Sequence, residues 1–173
     1  MAFESLIDFA DEAAREIGQY MLQVTLRPEQ LVAEEYPVAD LNWDSVKYGP
    51  DEVQRVPDDK RGIYAFAICH NNSVLPPYGY ILYIGIAGRR SNRSLRERYK
   101  DYLNEKKVIK RERIARMIGN WHNVLRFFYA PIPDDMTSEE LEDLEKRLNN
   151  AFLPPFSEGD LDADVKRKRR AFR

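Results

Sequence analysis

The sequence of 173 residues predicts an α+β fold, an α/β sandwich in which helices flank a small three-stranded antiparallel sheet. Aromatic and branched apolar runs at about 62–69 and 80–87 predict two strands, joined by a loop rich in Pro and Asn. Helical periodicity and capping boxes surround a further apolar run at about 124–132, which predicts the third strand. The predicted order of the core is therefore β-β-α-α-β-α.

The segment before this core is acidic and is predicted to form a helix followed by an extended arm. Apolar residues recur at three- and four-residue spacing from Phe3 to about Met21, which predicts an amphipathic helix packed against the core. Four prolines in residues 27–61 leave room there only for short strands or turns. We expect three regions: an acidic helix and arm over residues 1–60, a core over 61–157 and a basic tail over 158–173.

Capping signals mark the helices of the core. Residues 94–97, with the sequence SLRE, have the spacing of a capping box and predict a helix over about 95–104. A second helix is predicted over roughly 108–118, before a Gly-Asn pair that favours a helix end. A second capping box at residues 137–140 begins the last helix, which is predicted to run to about Phe152 and to stop before two prolines.

The composition, 43% hydrophobic and 32% charged, indicates a globular protein. No apolar run approaches the roughly 18 residues of a membrane span, so no membrane partner is expected. The first helix is acidic, whereas a secretory signal begins with basic residues. Cys69 is the single cysteine, which excludes an internal disulfide and a zinc site built from cysteines. We therefore expect a cytoplasmic protein.

The two parts of the chain carry opposite charge although the net charge is only −2. Residues 1–60 contain 14 acidic and 5 basic side chains, and residues 61–173 contain 15 acidic and 22 basic ones. Much of the basic excess lies between Arg89 and Arg116, with 12 basic and 4 acidic residues, and the tail adds five consecutive cations at 166–170. A basic surface of this kind favours a polyanion as partner, whereas a basic run taken alone is also typical of a solvated helix face.

One carboxylate of the last predicted helix lies close to its apolar side. Leu141, Leu144 and Leu148 share one sector of the helix, and Glu145 falls at the margin of that sector. Burying an ionised carboxylate is costly unless a cation or hydrogen bonds compensate, which predicts an arginine, a metal ion or both beside Glu145. The alternative is a glutamate whose stem lies along the core edge with its head in water.

Arg98 and Tyr102 are four residues apart on the preceding basic helix and therefore share a face. A guanidinium beside a phenol can bind one phosphate group. An exposed basic helix that the tyrosine anchors to the core is the alternative interpretation of the same pair.

Together these residues resemble the GIY-YIG nuclease superfamily, in particular its stand-alone members of the restriction or phage type. The similarity covers about residues 61–157 and rests on four elements that occur in the family's order. These are Gly62-Ile63-Tyr64, then Tyr83-Ile84-Gly85, then the helix SLRERYKDYL with Arg98 and Tyr102, then the stretch EKRLNNAFLPPFS with Glu145, Leu148 and Pro154.

The resemblance implies a metal-dependent endonuclease that hydrolyses phosphodiester bonds in DNA, with RNA as an open alternative. The catalytic residues that it implies are Tyr64, Tyr83, Arg98, Tyr102 and Glu145. Glu145 would hold one Mg²⁺, for which Mn²⁺ can substitute, and Arg98 would contact the scissile phosphate. Tyr64 would position the attacking water and accept its proton, which a phenol with a pKa near 10 does poorly unless cations lower that pKa. Tyr83 and Tyr102 would hydrogen-bond to the water or the phosphate.

Three positions depart from the family pattern. Ser157 stands where the family usually has asparagine, and Ile86 follows the second triplet where many relatives have lysine. The gap between Gly85 and Arg98 is also long, so Arg93 is a rival for the role of Arg98. Arg98 is the preferred candidate because Tyr102 follows it at the family's spacing.

A group of basic residues is predicted to follow the nucleic-acid backbone through its phosphates. The group consists of Arg89, Arg90, Arg93, Arg96, Lys100, Lys106, Lys107, Lys110 and Arg111. A second hypothesis, motivated by Ser157 and Ile86, is a catalytically weakened binding or structural module on the same scaffold. The acidic arm could shape a homodimer or restrain access to the basic groove.

Overall fold

The computed structural model of the protein describes residues 2–25, 41–70, 78–89, 91–157 and 161–171. The strands are β1 (Asp44–Lys47), β2 (Gly62–His70), β3 (Tyr78–Ala87) and β4 (Leu125–Pro131). The helices are α1 (Ala2–Gly18), a 3₁₀ helix (Pro50–Arg55), α2 (Leu95–Leu103), α3 (Glu105–Val108), α4 (Glu112–Trp121), α5 (Ser138–Phe152) and α6 (Ala163–Arg170). None of the helices in these ranges combines the length and the apolar character that crossing a bilayer requires.

The fold is α+β, and the sheet in the described ranges has four antiparallel strands in the order β1-β4-β2-β3. The prediction of three strands is therefore wrong. The additional strand, β1, pairs with β4 and places Asp44 opposite Tyr129. Its sequence gives little warning, because the strand has four residues of which only Val46 is buried. The sheet thus includes a short strand from the segment that was expected to form an extended arm with short strands or turns.

The hairpin of β2 and β3 contains a β-bulge at the position where the site is built. Gly62 pairs with Ala87 and Phe66 with Tyr83, whereas Ala67 pairs with Ile81, so Leu82 is the extra residue on β3. A bulge of this kind alters which side chains share a face of the sheet. Leu82 and Tyr83 accordingly belong to the same buried cluster although they are neighbours in sequence.

The two faces of the sheet pack against different helices. One face is aromatic and meets α2 and α4, with Tyr64, Phe66 and Phe127 against Tyr99 and Tyr102. The other face is aliphatic and meets α5. Its buried residues include Ile63, Ala65, Ile84, Ile86, Leu141, Leu144 and Leu148.

The basic helical region differs in detail from the prediction. Instead of one helix over 108–118, the chain forms the short α3 and then α4, with the exposed Ile109 between them. Asn104 ends α2 and also caps α3 by accepting a hydrogen bond from the backbone N–H of Lys107. α4 continues past the glycine to Trp121, whose ring packs against Phe156.

Both ends of the chain form helices, but they are attached differently. The described apolar side chains of α1, such as Ile7 and Ile17, are exposed, so the predicted packing of this helix against the core is wrong for them. The chain contacts the rest of the protein just after the end of α1, where the Tyr20 ring packs against Trp121. At the other end, Asp162 precedes α6 and exchanges two hydrogen bonds with Asn150 of α5.

Candidate active site

A network of side chains links β2 to α2 on the aromatic face of the sheet. The hydroxyls of Tyr64 and Tyr102 share a hydrogen bond of 2.7 Å. Arg98 donates from Nε to the Tyr64 hydroxyl at 3.0 Å, and its guanidinium carbon lies 5.5 Å from the centre of the Tyr102 ring. The ordered spacing of Arg98 and Tyr102 therefore brings both side chains to the tyrosine of the first triplet, which is fully buried.

Tyr83 completes this aromatic group. Its ring centre lies 6.3 Å from those of Tyr64 and Tyr102, and the bulge at Leu82 keeps it on their side of the sheet. Tyr83 is more accessible than Tyr64, since it also lines a cleft beside β3. The four residues predicted from the two triplets and the basic helix are thus close neighbours.

The glycine of the second triplet makes room for the tyrosine of the first. Gly85 is paired with Tyr64 across the hairpin. A Cβ atom at Gly85 would lie only 2.5 Å from the Tyr64 hydroxyl oxygen, well inside van der Waals contact. Gly62 is constrained in the same way, because a Cβ there would overlap the carbonyl oxygen of Ala130 on β4. Both glycines are therefore required by packing rather than by a turn.

The cleft beside β3 has a volume of about 440 Å³ and joins the two faces of the sheet at its edge. Glu145 reaches it from α5 on the aliphatic side, whereas Tyr83 and Arg98 reach it from the aromatic side. The other residues that line it are Ile86, Ala87, Gly88, Arg89, Ser91 and Arg93. Residues that are distant in sequence therefore meet in one polar, mainly cationic cleft.

Glu145 is buried and paired with an arginine. Only 5% of its side chain is exposed, and Oε2 accepts a hydrogen bond from Arg89 Nη2 at 2.5 Å. Arg89 also lies 3.6 Å from Glu142, measured between Nε and Oε1. The predicted arginine partner of Glu145 is thus present, and it comes from the loop that follows β3 rather than from a helix.

The donor set around Glu145 is compatible with a magnesium ion that keeps most of its water. Within the described part of the chain, no three His, Cys, Asp or Glu side chains come together as a metal cage. Mg²⁺ is commonly held by one or two carboxylates, with waters and substrate phosphates as its other ligands. One buried carboxylate beside an open cleft fits that requirement, and the Arg89 guanidinium is a cation that already uses one of its oxygens.

Burial keeps the two triplet phenols protonated. Burial raises the pKa of Tyr64 well above its ordinary value, and Tyr102 and Tyr83 beside it act in the same direction, while the cation of Arg98 opposes them. Burial also raises the pKa of Tyr83, with a further contribution from Tyr102. Both side chains are therefore neutral hydrogen-bonding groups near pH 7.

Asp101 is a residue of the site that the sequence pattern did not single out. Its carboxylate is buried and contacts three cations, with Arg93 Nη2 at 2.6 Å, Lys107 Nζ at 2.7 Å and Arg98 Nη1 at 3.7 Å. The available signal was its position three residues after Arg98, which places both on neighbouring turns of α2.

Ser157 and Ile86, two of the departures from the family pattern, have different surroundings. The Ser157 hydroxyl accepts a hydrogen bond from the backbone N–H of Ile84 at 2.9 Å and lies 3.4 Å from the Ile84 carbonyl oxygen, to which it can donate. Ser157 is thus fastened to the middle of the second triplet, at the edge of the sheet. Ile86 is buried against the aliphatic cluster and lines the cleft with its remaining surface.

The basic residues predicted to contact nucleic acid lie in different surroundings. Arg96 is used inside the protein, since it donates to the carbonyl oxygens of Val56 and Gln54 and to Asp58. Arg111 lies over the Tyr102 ring at 4.9 Å. Arg90 lies outside the described residues. The remaining members are Arg89 and Arg93 in the cleft, Lys107 on Asp101, and the exposed Lys100, Lys106 and Lys110.

Comparisons of the chain with family models, with curated proteins and with solved structures gave no match.

Proposed function

We propose that the protein is a metal-dependent endonuclease that hydrolyses phosphodiester bonds in DNA. The observation that carries the proposal is the meeting of Glu145, Arg98 and Tyr83 in one cleft, with Tyr64 directly behind Arg98. A phosphodiester is an anion, so its hydrolysis requires cations around the phosphate and a carboxylate that can hold a metal ion. The cleft brings both kinds of group together.

In this mechanism Glu145 would hold the ion, whose chemistry is to neutralise charge on the phosphate and on the leaving group. Arg98 contacts the scissile phosphate and stabilises the charge that accumulates on its oxygens in the transition state. The contact between Arg89 and Glu145 compensates the charge of the buried carboxylate.

The two triplet tyrosines take different roles. The proton-acceptor role that the resemblance gives Tyr64 requires a phenolate, which its burial opposes. We therefore assign Tyr64 to positioning, since its hydroxyl accepts the Arg98 Nε–H and shares a hydrogen bond with Tyr102. Tyr83 lines the cleft and is the phenol that contacts the attacking water or the phosphate.

The test is cleavage of supercoiled plasmid and of labelled DNA duplexes with Mg²⁺ or Mn²⁺. We expect Glu145→Gln and Arg98→Ala to lower the cleavage rate by about 100-fold or more, since each removes a group that stabilises the transition state. Glu139→Gln and Arg147→Ala are matched controls on the exposed side of α5 and should stay within about twofold of the wild type.

Circular dichroism and thermal unfolding of the same variants show whether the fold is kept. If both Glu145→Gln and Arg98→Ala fold and cleave at the wild-type rate, the proposed site is wrong. If the wild type binds DNA but cleaves no substrate with either metal ion, the alternative of a non-catalytic binding module is the better description. The contact of Arg89 with Glu145 is the observation that favours this second candidate, because it places a fixed cation on the metal-binding carboxylate.

A further inference from the structure

The carboxylate of Asp101 is the most heavily paired charge of the described protein interior. Its side chain is only 10% exposed, although it sits in a helix whose other face is solvated. Oδ1 contacts Lys107, and Oδ2 contacts both Arg93 and Arg98. The three cations come from the loop before α2, from α2 itself and from α3, so one acidic residue ties three segments together.

The number of cations exceeds what the burial of one carboxylate requires. A single well-placed arginine compensates a buried carboxylate, whereas three cations leave an excess of two positive charges around Asp101. Like charges held close together repel each other, and this excess favours an additional anion in the same place.

Two of the three cations around Asp101 lie at the cleft. Arg93 and Arg98 both line it, opposite Glu145, and their side chains are 38% and 27% exposed. A guanidinium has five N–H donors, of which Arg98 uses Nε in a hydrogen bond to Tyr64, while Nη1 lies 3.7 Å from Asp101 as an ion pair. Donors therefore remain on both arginines for the two non-bridging oxygens of one phosphate group.

We propose that Asp101 is a positioning residue that holds Arg93 and Arg98 as a pair on the scissile phosphate, with Arg93 as a second phosphate contact. This inference rests on the proposed nuclease function and assigns two further residues to it. Arg93 and Arg98, which the sequence presents as rivals for one role, then act together because Oδ2 of Asp101 lies within ion-pair distance of both.

A merely structural ion pair predicts a different response to substitution. Asp101→Asn removes a negative charge from the basic surface, so electrostatics alone make DNA binding as tight or tighter. Loss of positioning acts on the transition state instead and slows cleavage. The positioning role therefore predicts opposite effects on affinity and on rate, whereas unfolding would weaken both.

The experiment measures DNA affinity with Ca²⁺ in place of Mg²⁺ and the single-turnover cleavage rate with Mg²⁺. Asp101→Asn should bind duplex DNA at least as tightly as the wild type and cleave it about 100-fold more slowly. Arg93→Ala, which changes a partly exposed side chain, should cleave about tenfold more slowly. Asp134→Asn, which breaks the exposed pair with Lys60, and Arg147→Ala are the controls and should change neither quantity by more than about twofold.

Wild-type rates in Asp101→Asn or in Arg93→Ala would overturn the inference, and so would weakened binding in parallel with slow cleavage in a folded Asp101→Asn protein. If the wild type cleaves no DNA, the proposed function fails. The role of Arg93 and Arg98 as joint phosphate contacts is then tested by DNA affinity alone. Arg93→Ala and Arg98→Ala should then each weaken DNA binding about fivefold or more relative to Arg147→Ala. Equal DNA affinities of all three variants would contradict the proposal that Arg93 and Arg98 both contact the phosphate.

Discussion

The face of the sheet that packs against α5 and the face that packs against α2 and α4 are both buried, yet their chemistry differs. The α5 face is aliphatic, with Ile63, Ile84 and Leu141 in contact and no hydroxyl among them. The opposite face is built from phenol and phenyl rings, whose hydroxyls need partners when buried. The phenol of Tyr64 meets this need with Tyr102 and Arg98.

The comparison indicates that the aliphatic face mainly provides stability and the aromatic face mainly fixes polar groups. Glu145 reaches the cleft from the aliphatic side, as a single carboxylate at the edge of a hydrocarbon layer. Arg98 reaches it from the aromatic side, held by a phenol and a carboxylate. Substitutions on the two faces should therefore separate loss of stability from loss of activity.

The largest change in stability is expected on the aliphatic face. Leu141→Ala leaves a cavity in a fully buried cluster and should lower the free energy of unfolding by about 3 kcal/mol. Urea unfolding followed by circular dichroism measures it. Ile109→Ala, which truncates an exposed side chain, is the control and should cost less than about 0.5 kcal/mol. Similar costs for both substitutions would contradict the role given to this face.

A smaller loss of stability, but a larger effect on activity, is expected on the aromatic face. Tyr102→Phe keeps the ring and removes the hydroxyl that bonds to Tyr64, so unfolding should become easier by about 1 kcal/mol. Because Tyr64 then holds Arg98 less firmly, the cleavage rate should fall about tenfold. Tyr20→Phe removes an exposed hydroxyl and should leave both quantities unchanged. A Tyr102→Phe protein with wild-type activity would show that the phenol network is only structural.

The smallest change in stability near neutral pH is expected from Tyr48 and Tyr99, two further tyrosines of the aromatic face. Their effect on the free energy of unfolding should grow at alkaline pH. Burial raises the pKa of Tyr48 and of Tyr99 from 10.0 to about 12. The unfolded chain loses these protons at lower pH than the folded protein, so their contribution is complete below about pH 10 and is lost as the pH rises through about 12.

Urea unfolding at a series of alkaline pH values, with phenolate absorbance as a second signal, measures this loss. Tyr48→Phe should make the decline shallower, because one of the shifted groups is absent. The phenylalanine protein should also be less stable near neutral pH, since the Tyr48 hydroxyl donates to the Tyr102 carbonyl oxygen at 2.6 Å. An equally steep decline in both proteins would contradict the assignment.

The sequence was informative where local patterns are strong. The capping boxes placed the starts of α2 and α5 correctly, and both boxes are formed in the structure. The aromatic runs located β2 and β3. The helical sector of α5 placed Glu145 at the border of the core and predicted an arginine, a metal ion or both beside it, and the structure shows the arginine. These features depend on neighbours within a few residues, which a single sequence contains.

The features that were missed depend on distant contacts. β1 has four residues and is a strand only because β4 offers it an edge, and α1 shows a clear apolar period although its described apolar side chains are exposed. Asp101 resembled any acidic residue in a basic helix, because its importance comes from Arg93 and Lys107 in other segments. The use of Arg96 as a structural donor was hidden for the same reason.

The attachment of Ser157 to β3 affects how the protein folds during its synthesis. Ile84 lies 73 positions before Ser157, and Phe156 donates its backbone N–H to Leu82 at the same border of the sheet. During synthesis, the unpaired backbone groups at the outer edge of β3 therefore stay exposed until residues 156 and 157 have been made. The outer edge of β3 is thus covered late in synthesis, and a chain truncated before residue 156 would present that edge to other molecules as a template for aggregation.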